Sequence, residues 1–131
     1  MKLLKKSVIV SCCLSLIASI SITAFCASEH FFTKESNGFS CTGSGTISST
    51  SCSGTFNAKI LPNQPVLPSE QYSCQVMVAA LDNYGNSLGV EMKTGNLSVT
   101  ARVTAPKADM HSAGCSFTFE GEHLGIYTMF N

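Results

Sequence analysis

Four cysteines, Cys41, Cys52, Cys74 and Cys115, and three histidines, His30, His111 and His123, are the side chains of this sequence best equipped for chemistry. A cysteine attacks only as its thiolate, which a histidine base or a cationic surrounding must favour. Each of these cysteines falls on the apolar side of a segment in which apolar and polar residues alternate, and buried cysteines in oxidised pairs offer no thiolate. The pattern therefore predicts disulfides and no catalytic cysteine. Serine chemistry has no better start: no Gly-x-Ser-x-Gly elbow occurs, and Gly43-Ser44-Gly45 reads as a flexible strand end.

Carboxylates and imidazoles come close in two places, Glu120, Glu122 and His123 around Gly121, and Asp109 with His111. Structural zinc takes four protein ligands and catalytic zinc three. Both groups read as solvated polar turns, so neither metal nor cofactor is expected. Most acids sit in turns or on outward strand positions, which places no carboxylate pair for glycoside hydrolysis. No catalytic residue emerges, and a non-enzymatic protein is the expectation.

The elements that must carry these residues begin with Met1-Lys2-Leu3-Leu4-Lys5-Lys6, an apolar, serine-dotted run from Ser7 to Phe25, and small residues at Ala24, Cys26, Ala27 and Ser28. Basic, apolar and small, in that order, is the layout of a secretory signal peptide. Cleavage is expected after Cys26 or one or two residues later, dividing the chain into a signal peptide (1–26), a leading segment or edge strand (27–37) and a secreted domain (38–131). It would leave Lys34, Lys59, Lys93, Arg102 and Lys107 against eight carboxylates, a charge of about −3. Five scattered cations trace no stripe along a phosphate backbone, so nucleic acid is excluded as a partner. The longest remaining apolar run, Val76 to Leu81, is far too short to span a bilayer, so no stable membrane insertion is expected after cleavage.

Alternation at period two then recurs down the chain. Phe39, Cys41, Gly43, Gly45 and Ile47 face one way in a strand weakened by its glycines. Cys52, Gly54, Phe56, Ala58 and Ile60 repeat the pattern, and a hairpin turn near Gly45 to Ser48 joins the two. Tyr72, Cys74, Val76, Val78 and Ala80 form another inward face, followed by the turn Asp82-Asn83-Tyr84-Gly85-Asn86 and a return strand with Leu88, Val90 and Met92 inward. Leu97, Val99, Ala101, Val103 and Ala105 come next, then Cys115, Phe117 and Phe119, and a last strand near Leu124 to Phe130. Phe31 and Phe32 are expected to pack in a short edge strand. Leu61 to Glu70, with Pro62, Pro65 and Pro68, and Pro106 to Ser112 are too long for tight hairpins and read as crossings between two sheets.

These observations predict an all-β fold, a small antiparallel β-sandwich of about seven strands. It resembles the immunoglobulin-like architecture in strand number, length and an inward cysteine pair, while lacking that class's tryptophan. Loss of Cys12, Cys13 and Cys26 would leave four cysteines and two disulfides, with three possible connectivities. Cys41 with Cys52 would staple the first hairpin if its turn is centred between Thr46 and Ile47. Cys74 with Cys115 would be the other pair.

The short lysine-rich start and the small cysteine-stapled product resemble small exported proteins of Gram-positive bacteria. The expected localisation is secreted and extracellular. The expected function is a non-enzymatic binding or interaction module recognising an extracellular protein, glycan or cell-surface component through its turns, with Tyr84, Asn83, Asn86, His111 and His123 as contact residues. A small secreted toxin or bacteriocin is the alternative, on grounds of size, export and disulfides.

Overall fold

Alternation at period two is realised as eight strands among the described residues: β1 (Ala27–Ser36), β2 (Phe39–Ile47), β3 (Ser51–Ile60), β4 (Cys74–Leu81), β5 (Ser87–Gly95), β6 (Ser98–Thr104), β7 (Ser112–Phe119) and β8 (Glu122–Phe130). The computed structural model describes residues 27–65, 67–107 and 109–131. The expected signal peptide lies outside the described residues. Sheet A has the order β1-β2-β3-β6 and sheet B the order β5-β4-β7-β8, with every neighbouring pair antiparallel. The two sheets pack face to face as a β-sandwich.

The expected count was one strand short of the eight. The leading segment forms β1, joined to β2 by Asn37 and Gly38 at φ 52° and 80°. Two successive positive φ angles make a type I′ turn, whose twist suits a two-residue hairpin. Glu120 and Gly121, at φ 51° and 77°, repeat it between β7 and β8. The chain changes sheet three times. The proline-rich segment after Ile60, with a 3-10 turn at Ser69–Gln71, and the segment after Thr104 cross as expected. The third crossing is the tight turn after Gly95, where a Cβ would stand 2.5 Å from the Ser98 carbonyl oxygen. This order also departs from the immunoglobulin arrangement, in which the second strand lies between the first and fifth; here β2 lies between β1 and β3.

The core contains Phe32, Phe39, Ile47, Phe56, Val76, Val78, Phe117, Phe119, Met110 and Met129, all buried. Full burial of an aliphatic or aromatic side chain of this size contributes about 1.5–3 kcal/mol. Glycines in β2 make room for it. A Cβ on Gly43 would lie 2.2 Å from the Phe32 ring, and one on Gly45 would meet Phe31 and Met129 at 2.8 and 2.7 Å. A bulge between His30 and Phe32 turns both Phe31 and Phe32 toward the core, where each stacks on Tyr127 at 5.2 and 5.3 Å.

Side chains close both open edges of the sandwich. On the β1–β8 side, the Lys34 ammonium donates to the Leu124 carbonyl at 2.9 Å and the Ser36 hydroxyl donates to Glu122. On the β5–β6 side, the Arg102 backbone N–H donates to the Glu91 carboxylate.

Candidate functional site

All four predicted cysteines are buried, and none is bonded to another in the structure. Burial pushes the Cys115 thiol up to about 12, helped by Cys52 nearby, and the Cys41 thiol up to about 11, helped by Glu122 and Cys74. Cys52 and Cys74 are raised by burial as well, against the opposing effect of a backbone hydrogen bond at each. All four are neutral thiols at ordinary pH.

The two expected pairings fail on register. The first hairpin turns at Ser48–Ser51, where the Ser48 N–H donates to the Ser51 carbonyl at 2.8 Å, so Ile47 lies opposite Cys52 and Cys41 lies opposite Ala58. Six residues of strand then separate Cys41 from Cys52, about 20 Å. Cys74 lies opposite Phe119 and Cys115 opposite Val78, four residues apart or about 13 Å. A disulfide needs Cα atoms within about 7 Å. The turn falls later than expected because the glycines of β2 belong inside the ladder, Gly43 opposite Phe56 and Gly45 opposite Gly54.

The five predicted contact residues divide between the two ends of the sandwich. Asn83, Tyr84 and Asn86 sit in the β4–β5 turn. Asp82 organises it by accepting the Tyr84 and Asn86 backbone N–H groups at 2.9 Å each and the Asn86 side-chain amide at 3.1 Å. These bonds hold its carboxyl below the usual carboxylate range. Tyr84 projects from the turn with 84% of its surface exposed. His111 joins the same end: its N–H donates to the Leu81 carbonyl at 2.9 Å, and its ring stands edge-on to Phe130 at 6.3 Å. A solvent-open depression of about 500 Å³ lies beside this end, lined by Ser87, Leu88, Ala105, Pro106 and Lys107. His123 is at the opposite end, near the β7–β8 turn, with Nε2 3.3 Å from the Ser116 hydroxyl.

Between the ends lies a surface that the alternation pattern did not reveal. A bulge after Ala80 shifts β5 by one residue, pairing Val90 with Ala79 and Met92 with Met77. Val90 and Met92, expected inward, therefore face solvent at 61% and 59% exposure. A one-residue shift exchanges the two faces of a strand. Cross-strand pairing aligns Met92, Met77, Ser116 and Ile126 in one row, Val90, Ala79, Gly114 and Thr128 in the next, and Leu81, Ser112 and Phe130 in the third. A fourth row, Thr94, Gln75, Thr118 and His123, closes the face near the far end. No Asp, Glu, Lys or Arg stands in any row. From strand and residue spacing the face measures on the order of 450 Å².

Sheet A presents the opposite chemistry. Its outer rows carry Glu35, Lys59 and Arg102 among hydroxyl and amide side chains, several of which bond across strands: Thr46 to Ser53 at 2.8 Å, Thr55 to Thr100 at 2.9 Å, and the Ser98 hydroxyl to Asn57 at 2.8 Å.

The two carboxylate groups weighed for metal binding are not assembled. Glu120 accepts the Ser73 N–H just before β4 at 2.6 Å and Glu122 accepts the Ser36 hydroxyl at the end of β1, so the two carboxylates serve different segments. Among the described residues no three His, Cys, Asp or Glu side chains converge on a point fit for an ion. No helix among them is long and apolar enough to cross a membrane. In comparisons with known proteins, no family model, curated protein or solved structure matches the chain.

Proposed function

We propose that this chain is a secreted, non-enzymatic binding module whose contact surface is the outer face of sheet B together with the Tyr84 and His111 end. The observation that carries this reading is the uncharged apolar face. The solvent side of an antiparallel sheet is ordinarily polar, as sheet A's is, while Met77, Leu81, Val90, Met92, Ile126 and Phe130 are exposed together on sheet B. Exposed apolar patches of a few hundred Å² on a folded domain are often functional, which supports this reading.

The face fits a partner protein with an uncharged, flat apolar surface outside the cell. Sugar platforms use several aromatic rings, and this face offers Phe130 alone, with Tyr84 and His111 at its margin. An interface built on some 450 Å² per side falls in the weak or transient class unless the end loops add to it. The basic, apolar and small order of the leader supports export to such a partner.

The test is binding of labelled protein to intact source and host cells, alongside the variant Met92→Glu/Ile126→Glu, whose two side chains are exposed and whose melting curve is expected to be unchanged. Saturable binding that weakens tenfold or more in the variant is expected. Equal binding by both proteins, or no saturable binding, would overturn the reading. Sedimentation of the protein alone identifies self-association as the use of the face, and cell death on binding would favour the toxin alternative.

A further inference from the structure

We propose that oxidation closes two disulfides between the sheets, Cys41 with Cys74 and Cys52 with Cys115. Strand position excludes the other two connectivities. Pairing within the sheets is prevented by the registers given above. Pairing of Cys52 with Cys74 would have to join opposite ends of the sandwich, because Cys52 follows the Ser48–Ser51 turn directly whereas Cys74 opens β4 at the far end. That also removes Cys41 with Cys115, its necessary complement.

Packing supports the remaining pairs. Phe39, two residues before Cys41 on the same face of β2, packs on Tyr72 at 4.7 Å and on Phe119 at 5.3 Å. Tyr72 stands two residues before Cys74, and Phe119 is the register partner of Cys74. One step further into the sandwich from Phe39 and Tyr72 therefore brings Cys41 to Cys74. For the second pair, the Cys115 sulfur reaches across to β3, 3.0 Å from where a Cβ on Gly54 would lie. Cys52 is the next inward residue toward the turn on that strand. The absence of a side chain at Gly54 is what admits the sulfur to β3.

In the redox step, each pair of thiols gives up two protons and two electrons to a small-molecule disulfide of the glutathione class. Its S–S bond breaks, it leaves as two thiols, and one protein S–S bond forms. The pairing does not depend on the binding face or its partner.

The test is refolding of the full reduced chain in a glutathione redox pair, alkylation of remaining thiols, digestion after Lys and Arg, and mass spectrometry. Cys41 and Cys52 share the peptide 35–59, Cys74 lies in 60–93 and Cys115 in 108–131. The expected product is one species in which 35–59 is joined to both others. Release of 35–59 with an internal bond, full alkylation of the four cysteines, or a link from any of the three to peptide 7–34 would overturn the proposal. The double variant Cys41→Ser/Cys74→Ser separates the two connectivities that give three joined peptides. It is expected to keep 35–59 joined to 108–131, and free Cys52 and Cys115 in a variant that folds would refute the pairing.

Discussion

Asp82 and Tyr84 divide the work of one turn, the first holding its shape and the second presenting its tip. Asp82 accepts backbone N–H groups from Tyr84 and Asn86, bonds that only its charged form makes fully, and its carboxyl lies below the usual range. A carboxylate held low in the fold adds order above its unfolded value near 4 and withdraws it as pH falls through the folded value. The Tyr84 and Asn86 amide resonances are therefore expected to shift together in acid, below the ordinary aspartate range. In Asp82→Ala they should be displaced and insensitive to that titration, and independent movement in the native protein would contradict the account. Tyr84 makes no packing contact that its exposure would allow to matter for stability. Tyr84→Ala is expected to leave the melting curve within about 0.5 kcal/mol of the native one, while weakening cell binding several-fold where the turn belongs to the contact surface.

At the scale of strands, glycine decides which rings fit. Gly43 is where the Phe32 ring lies, and a methyl group there would overlap it at 2.2 Å. Gly43→Ala is expected to cost about 1–3 kcal/mol by overpacking, read as a lower denaturant midpoint with unchanged slope. Phe32→Leu in the same chain should recover part of that loss, because both changes act on one contact; additive costs would refute the explanation. Gly95 is stricter, since its neighbour is the Ser98 backbone carbonyl rather than a ring that can turn. These glycines show what was legible in the sequence. The inward faces of β2, β4, β6 and β7 follow from alternation alone, because uninterrupted period-two segments admit one assignment of faces. So does that of β3 until the β6 pairing ends at Asn57; Ile60, expected inward, lies past that end and is exposed. Asn37-Gly38 carried a readable hairpin signal for β1. The faces of β5 were not legible, since both registers place an alternating set inward and only the bulge after Ala80 selects between them. The exposed apolar face of sheet B is hidden from sequence for the same reason. Cys41 and Cys52 look opposed because a turn centred on Thr46 and Ile47 satisfies the same alternation as the observed one three residues later.

For the molecule as a whole, the open question of stability is how two sheets stay together when one of them keeps so many apolar side chains in water. The proposed disulfides interleave along the chain, 41 to 74 and 52 to 115, and enclose rings of roughly 34 and 64 residues. In the chain-entropy account each ring destabilises the unfolded state by about 4 kcal/mol, comparable with the whole stability of a small domain. Ionisation supplies a signature for them that ring entropy lacks. In the reduced chain burial raises all four thiols above their ordinary value of 9.0, Cys41 to about 11 and Cys115 to about 12. An acid whose value is raised by folding supports the fold fully below its unfolded value. Above that value the unfolded chain loses protons that the folded one retains, and support falls until the folded value is passed. Reduced protein is therefore expected to lose stability progressively from pH 9 toward 12 beyond any loss in the oxidised form, whose sulfurs carry no titrating proton. Denaturant midpoints measured on both forms at pH 7, 9 and 10.5 check this. A gap between the forms that widens with pH supports buried thiols that become disulfides, whereas a gap of zero at every pH would mean that the oxidised sample contains no such bonds.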